Sequence, residues 1–237
     1  MAADRSRIAI VTLALLALTA TAHADVTGKL SLTGTAGRPP LRGKAFLDRT
    51  ENPYTGGRTL DPMPYLVVVL VGDGASSKLP APAAPPQVKW KLLGESFERP
   101  LLPVYAGTEV VIQNEGKRSP TLVADGAPDL LPNTPLNPRG ERAFKAGAAG
   151  TLHVLKDTDT PHLTGAVLAL PHTYFALPSK DGKYSIPGSG LADGEYTLRV
   201  WYRTGWLEGA DTKITVKDGK ASKDLTLPPG LKVTAAP

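Results

Sequence analysis

Apolar residues in this chain come in short runs that are separated by turn-forming residues. Residues 26–32 alternate between apolar and polar side chains, which predicts a strand with one buried face. Residues 65–71 are continuously apolar, which is typical of a strand buried on both faces. The same criteria predict further strands at 108–112, 150–155, 165–170, 174–177, 184–186, 195–202 and 212–216. The pattern therefore indicates an all-β chain.

Turn chemistry supports this prediction, since 23 prolines and 24 glycines leave no room for long helices. Asp-Gly pairs at 181–182, 193–194 and 218–219 lie between predicted strands, where a two-residue hairpin needs positive φ. The last third is therefore predicted to be an antiparallel meander. Two proline-rich stretches, 79–86 and 127–139, are predicted to lie outside central strands, because proline cannot donate a ladder hydrogen bond. The first either separates two domains or is a surface excursion of one sandwich.

The first 24 residues are typical of a secretory signal peptide. Arg5 and Arg7 precede an apolar run at 8–18, and a small-residue cleavage site follows at 22–24. The run is shorter than the ~20 residues that cross a bilayer, and no later segment is both long and apolar enough. We therefore expect a periplasmic or secreted protein that starts at Asp25 and has no membrane span.

Composition excludes several classes of function. The formal net charge of +5 falls by one when Asp4, Arg5 and Arg7 leave with the signal peptide. The remaining Lys and Arg are scattered singly among Asp and Glu, without the basic stripe of a nucleic-acid-binding protein, so no nucleic acid partner is expected. The chain has no cysteine, which excludes disulfides and an anchor on an N-terminal cysteine.

Three segments resemble a known family. Residues 97–114 resemble the opening of a bacterial cupredoxin domain, a strand-turn-strand that ends in an Asn-containing loop. Residues 171–187 and 194–202 are similar to the carboxypeptidase-regulatory-like, or transthyretin-like, module. Together they resemble the periplasmic methylamine-utilisation-like cupredoxin proteins, in which the two modules are joined. The resemblance implies a Greek-key β-sandwich of cupredoxin-like type joined to a transthyretin-like antiparallel meander.

The resemblance also implies a division of the chain. We expect a signal peptide at 1–24, N-terminal β-strands and the Pro/Ala-rich linker at 25–93, a cupredoxin-like domain at 94–171, a carboxypeptidase-regulatory-like β-module at 172–228 and a C-terminal tail at 229–237.

Most copper ligands of the family are missing here. The family places a histidine about six residues beyond the loop asparagine, where this chain has residues 119–121, Ser-Pro-Thr. His162 matches a second histidine, but Asp159 stands where the family has a cysteine, and residues 163–165, Leu-Thr-Gly, stand where a methionine follows. A blue-copper site needs a thiolate and two imidazoles. The resemblance therefore implies the fold without its copper chemistry, and no cofactor is expected.

Three histidines follow the predicted signal peptide, and they are weak candidates for another metal site with nearby carboxylates. His153 alternates with apolar neighbours, so we expect it to face solvent or a polar pocket. His162 and His172 lie beside prolines at predicted strand ends. No short His-x-His or His-x-x-x-His spacing places two imidazoles on one element, so no metal site is predicted with them.

Candidate chemistry is otherwise limited to aromatic side chains. Trp201 and Tyr202 point to opposite faces of one predicted strand, so one of them is expected to pack into the core. The other, together with Trp206, is a candidate platform for a sugar ring or a peptide. Ser189 is flanked by glycines but lacks the Gly-x-Ser-x-Gly elbow between a strand and a helix, and we expect no enzyme.

Three functions stay open at this point. The first is an exported, non-catalytic β-sandwich binding or scaffolding protein that contacts another protein of the cell envelope. The second is a carbohydrate-binding module for an envelope polysaccharide that uses Trp201, Tyr202 and Trp206. The third is a metal carrier that uses histidines with carboxylates.

Overall fold

The computed structural model describes residues 25–33, 61–73, 79–160 and 162–235, and the predicted signal peptide lies outside these ranges. Their regular structure is all-β apart from one turn of 3₁₀ helix at Met63–Tyr65, which confirms the predicted fold class. The strands are β1 (Asp25–Leu32), β2 (Leu66–Gly72), β3 (Gln87–Leu92), β4 (Leu101–Tyr105), β5 (Glu109–Asn114), β6 (Leu122–Ala124), β7 (Glu141–Lys145), β8 (Leu152–Asp157), β9 (Thr164–Leu170), β10 (Phe175–Ala176), β11 (Lys183–Pro187), β12 (Gly194–Tyr202), β13 (Gly205–Leu207), β14 (Thr212–Val216), β15 (Ala221–Ser222), β16 (Leu225–Leu227) and β17 (Val233–Ala235). No described helix is long and apolar enough to cross a bilayer.

The first sandwich combines the two N-terminal strands with the last third of the chain. In one sheet, β1 pairs with β11, β15 and β16. In the other sheet, β2 pairs with β10 and β12, and β12 also pairs with β13 and β14. The predicted antiparallel pairing occurs between β12 and both β13 and β14. In contrast, β10 and β11 pair with β2 and β1, and β15 and β16 run parallel to β1. An apolar core that includes Leu66, Val68, Leu70, Leu198 and Ile186 fills the space between the sheets.

The second sandwich is built from β3 to β9. One sheet has the order β3-β5-β7, and the other has the order β4-β9-β8-β6. Two pairs, β3 with β5 and β4 with β9, are parallel. The rings of Trp90 and Phe97 stack in its core with their centroids 3.8 Å apart. Strand β3 precedes residue 94, where the sequence places the start of the cupredoxin-like domain, and it pairs with β5 along its whole length.

The second sandwich is inserted between β2 and β10 of the first. The chain leaves the first sandwich after β2, passes through the proline-rich residues 79–86, and returns after β9 through Pro171 and His172. Residues 79–86 and 127–139 contain no strand, as proline chemistry predicts. The chain therefore crosses between the two sandwiches twice.

A third apolar layer joins the sandwiches, and we call it the junction. It contains the buried side chains of Val67, Val69, Leu101, Leu168, Leu170 and Trp201. Strand β2 is thus buried on both faces, as its continuous apolar run predicts, with Val67 and Val69 in the junction and Leu66, Val68 and Leu70 in the first core. Full burial of one such side chain contributes ~1.5–3 kcal/mol, whereas an exposed ion pair contributes ~0–1 kcal/mol. Apolar packing therefore holds the two sandwiches together.

One predicted turn shows the expected hairpin geometry. Asp218 and Gly219 have φ values of 51° and 69°, and Lys217 and Lys220 exchange backbone hydrogen bonds of 3.0 and 2.9 Å around them. Positive φ at both central positions is the geometry that an Asp-Gly hairpin turn requires.

Candidate functional site

The end of the second sandwich that the resemblance assigns to copper holds polar side chains of another kind. The buried side chain of Asn114 donates to the carbonyl oxygens of Arg118 at 2.7 Å and Leu136 at 2.8 Å, and its Oδ1 accepts from the Gly116 N–H at 2.9 Å. The loop asparagine therefore fixes the backbone after β5. Pro120 lies in the segment where the family has its first histidine.

An exposed ion-pair network lies beside this loop. The Glu95 carboxylate contacts Nε2 of His162 at 3.2 Å and accepts from Nη1 of Arg118 at 3.1 Å. The other terminal nitrogen of Arg118 donates to the Thr160 hydroxyl at 2.8 Å. Hydrogen bonding to His162, and then to Arg118, lowers the pKa of Glu95. The one histidine that matches the copper pattern is therefore bound to a carboxylate.

These residues do not fit a blue-copper site. Asp159, at the cysteine position, is an exposed carboxylate in the β8–β9 connection. A carboxylate is a hard oxygen donor, whereas the blue-copper site depends on a soft thiolate. His162 contacts Glu95 instead of a second imidazole.

The structure does not bring the three candidate histidines together. His153 lies on β8, edge to face with Phe144, and its Nε2 is buried without a hydrogen-bond partner. Burial lowers its pKa. His162 is exposed beside Glu95, and His172 is buried after β9. Among residues 25–33, 61–73, 79–160 and 162–235, no three His, Cys, Asp or Glu side chains form a group with metal-binding geometry.

The three candidate aromatic residues have different environments. Trp201 is 1% exposed in the junction, and its Nε1 donates to the Arg203 carbonyl at 3.0 Å. Of Trp201 and Tyr202, Trp201 is therefore the residue that packs into the core. Because it is buried, Trp201 is not part of an exposed binding platform. Tyr202 lies on the opposite face, partly buried against the first core. Trp206 lies on β13 opposite Trp201 and is partly exposed.

Trp206 and His172 line one cleft at the point where the chain crosses between the sandwiches. The cleft has a volume of about 480 Å³. Its apolar lining comes from β2, from the proline-rich connection and from the segment after β9, and the lining residues are Val69, Val71, Gly72, Leu79, Pro171, His172 and Trp206. We call it the tryptophan cleft.

The protonation of His172 follows from its surroundings. The Tyr174 backbone N–H donates to Nδ1 of His172 at 3.2 Å. Burial lowers the pKa of His172 to about 4, so the imidazole is neutral at pH 7. A neutral imidazole has one donor and one acceptor nitrogen, and therefore Nε2 carries the proton. His172 thus supplies an uncharged hydrogen-bond donor at an apolar cleft.

Charged side chains hold Trp206 in place. The Arg199 guanidinium lies over the indole, 4.3 Å from its centroid, and pairs with Asp211 through a 3.3 Å contact. Thr197, the next outward residue of β12, donates to Asp73 at 2.7 Å. A guanidinium stacked on an indole face is attracted by the ring quadrupole. One face of Trp206 is therefore covered by Arg199.

The sequence predicted Trp206 as a binding residue but not the rest of the cleft. Val69 and Val71 read as interior residues of a strand, and Leu79 and Pro171 as parts of connections. These four meet because the second sandwich is inserted between β2 and β10. The sequence feature that could have indicated the insertion is the presence of prolines on both sides of it, at 80–86 and at 171.

Comparisons with known proteins give partial structural likeness. No protein-family model and no curated protein sequence matches the chain. The structure is similar to amicyanin from Paracoccus versutus (Thiobacillus versutus), with 17% identity and a TM-score of 0.32 over 44% of this chain and 96% of amicyanin. It is also similar to dithionite-reduced auracyanin from the photosynthetic bacterium Roseiflexus castenholzii, with 16% identity and a TM-score of 0.29 over 36% of this chain and 97% of auracyanin.

Proposed function

We propose that this chain is an exported, non-catalytic binding protein of the cell envelope and that the tryptophan cleft is its ligand site. The observation that carries the proposal is the meeting of Trp206 and His172 in one cleft of about 480 Å³ beside the two connections that join the sandwiches. Ligand sites are typically apolar clefts of ~300–1,000 Å³ with a few polar groups, and they occur preferentially between domains. The cleft has this size and composition.

A sugar ring is the ligand that this lining favours. An indole and aliphatic side chains suit the flat C–H face of a pyranose, and a neutral N–H donor suits a hydroxyl. The nearby side chains of Arg199 and Asp211 form an ion pair with each other. The cleft therefore contains no unpaired charge from these two residues that a charged ligand would neutralise. This supports the carbohydrate-binding alternative that the sequence left open, with Trp206 and His172 as contact residues.

Strand addition at the β3-β5-β7 sheet, one route to scaffolding of another envelope protein, has less support. Addition of a partner strand needs an open, apolar sheet edge. Strands β3 and β7 form the two edges of their sheet, and both carry charges, with Lys89 and Lys91 on one edge and Glu141, Arg142 and Lys145 on the other. Charged edge strands are the usual protection against strand addition.

The proposal is tested by titration of the chain from Asp25 onward with neutral oligosaccharides of glucose and of N-acetylglucosamine, followed by calorimetry and Trp fluorescence. Trp206→Leu keeps an apolar side chain but loses the ring, and we expect it to weaken binding at least tenfold. His172→Gln keeps a donor and should weaken binding less. Leu93→Ala is the control, because Leu93 is an exposed apolar residue outside the cleft.

Two results would contradict the proposal. One is the absence of heat and of a fluorescence change with every saccharide. The other is equal binding by wild type and Trp206→Leu. A stoichiometric envelope protein recovered equally by wild type and Trp206→Leu would favour scaffolding instead.

A further inference from the structure

A second cleft lies at the opposite end of the junction. It is formed where β2, β4 and β9 begin, whereas the tryptophan cleft is formed where β2 and β9 end. Its volume is about 230 Å³. The walls include Tyr65, Leu101, Leu152, Thr164, Arg203 and Thr204. We call it the arginine cleft.

The backbone of Arg203 is held in an unusual conformation. Arg203 and Thr204 form the two-residue connection between Tyr202 and Gly205, which pair across β12 and β13. The φ of Arg203 is 54°, a left-handed value that is unfavourable for a residue with a side chain. Its N–H donates to the Tyr65 carbonyl at 3.1 Å, and its carbonyl accepts from Trp201 Nε1 at 3.0 Å. The junction therefore fixes the position of this arginine.

The guanidinium is equally constrained. Its central carbon lies 4.7 Å from the ring centroid of Tyr65 and 5.4 Å from that of Tyr202. Nε is screened from solvent and has no hydrogen-bond partner. Contact with two aromatic rings leaves the guanidinium in a preorganised orientation, so a ligand would have little side-chain entropy to remove.

No carboxylate neutralises Arg203 within the described part of the chain. Arg118 pairs with Glu95 and Arg199 pairs with Asp211, and Arg142 donates to the carbonyls of a neighbouring loop. Arg203 makes no ion pair and no side-chain hydrogen bond among the same described residues. Among the described residues, this ordered guanidinium at a mainly apolar cleft is therefore available for an anion.

We propose that the arginine cleft binds a small monocarboxylate with an apolar body, such as a short aliphatic or aromatic acid. The planar guanidinium fork matches a carboxylate, and Leu101 and Leu152 offer apolar walls to the rest of the ligand. Thr164 and Thr204 add hydroxyl groups that can donate to a carboxylate oxygen. The cavity is below the ~300 Å³ of ordinary ligand pockets, which restricts the ligand to a few carbons or one ring.

The test is calorimetry on the chain from Asp25 onward with hexanoate and benzoate, at constant ionic strength. Hexanamide and benzamide have the same apolar bodies without the charge, and inorganic sulfate has the charge without the apolar body. We expect the acids to bind at least tenfold more tightly than either the amides or sulfate. The Nε–H resonance of Arg203 in a ¹⁵N-labelled sample should shift on addition of hexanoate and not on addition of hexanamide.

Variants identify the residue responsible. Arg203→Lys keeps the charge but not the fork, and we expect it to weaken hexanoate binding at least tenfold. Arg139→Lys is the matched control, because Arg139 also has a positive φ, 62°, but is exposed on the second sandwich. The NMR measurement on wild type needs no variant, so poor folding of Arg203→Lys would not obscure the result.

The proposal is overturned by no binding of either acid, by equal binding of acids and amides, or by unchanged hexanoate affinity in Arg203→Lys. Sulfate binding as tight as hexanoate would also overturn it, since that result describes general anion attraction. None of these outcomes bears on the tryptophan cleft, whose lining residues are different.

Discussion

Trp201 and Trp206 lie opposite each other on β12 and β13, and their rings meet edge to face with 5.1 Å between centroids. Trp201 is buried in the junction, whereas Trp206 lines the tryptophan cleft. The contact joins the layer that holds the two sandwiches together to the wall of the proposed ligand site. Edge-to-face pairs of this kind contribute ~0.5–1.5 kcal/mol beyond area burial.

Replacement of Trp201 should therefore destabilise the protein and disturb the cleft. We expect Trp201→Ala to lower the free energy of unfolding by about 3–5 kcal/mol, because it leaves a cavity in the junction. Trp201→Phe should cost less. Urea denaturation monitored by near-UV circular dichroism measures the free energy of unfolding of both Trp201 variants, with Leu93→Ala as an exposed apolar control. A loss below about 1 kcal/mol for Trp201→Ala would show that the junction does not depend on this ring.

Burial of His172 predicts that stability depends on pH. Its pKa falls from 6.5 to about 4 on folding, so between these values the unfolded chain binds more protons than the folded one. Stability should therefore be complete above pH 6.5 and should fall as the pH drops toward 4, by up to about 3 kcal/mol for this group. Urea unfolding at several pH values, together with an NMR titration of the imidazole, measures this dependence.

Two variants separate the contributions of His172 and His153 to the pH dependence of stability. His172→Gln should reduce the dependence between pH 6.5 and 4. His153→Gln should reduce it in the same direction, because burial also lowers the pKa of His153. Leu93→Ala, which changes an exposed side chain and no titratable group, is the control. An identical pH dependence in wild type and His172→Gln would contradict the assignment.

Asn114 is predicted to stabilise the loop after β5. Asn114→Ala removes three hydrogen bonds and leaves the carbonyls of Arg118 and Leu136 without their side-chain donor. Because unsatisfied buried polar groups are costly, we expect a loss of about 2–4 kcal/mol. Asn133→Ala, at an exposed loop position, should change stability by less than about 0.5 kcal/mol. Chemical denaturation compares the two variants, and similar losses of stability would contradict the role of Asn114 in fixing the loop after β5.

Gly165 is predicted to be intolerant of a side chain. An added Cβ would lie 2.5 Å from a ring carbon of Phe97 and 2.6 Å from one of Trp90. Gly165→Ala should therefore destabilise the second sandwich by about 1–3 kcal/mol, since the stacked rings must move. Phe97→Leu provides space, so the double variant should be less destabilised than the sum of the single variants. Strict additivity in thermal denaturation would contradict this steric explanation.

Local patterns sufficed for many of the strands. Alternation in β1, the apolar run of β2 and the Asp-Gly turn at 218–219 each depend on neighbours along the chain, so their structure was predictable. Seven strands were not predicted, namely β3, β6, β7, β13, β15, β16 and β17. The last three are runs of two or three residues, which become strands only when a partner strand is present.

The sequence by itself determined the all-β class, the absence of a thiolate for blue copper, and Trp206 as a candidate contact residue. Only the tertiary structure decided that β3 to β9 form a sandwich inserted between β2 and β10. That insertion covers the outer face of β2, buries Trp201 and places His172 beside Trp206. The physical reason is that local patterns report which faces are apolar, whereas the identity of the layer that covers each face depends on contacts between residues far apart in the chain.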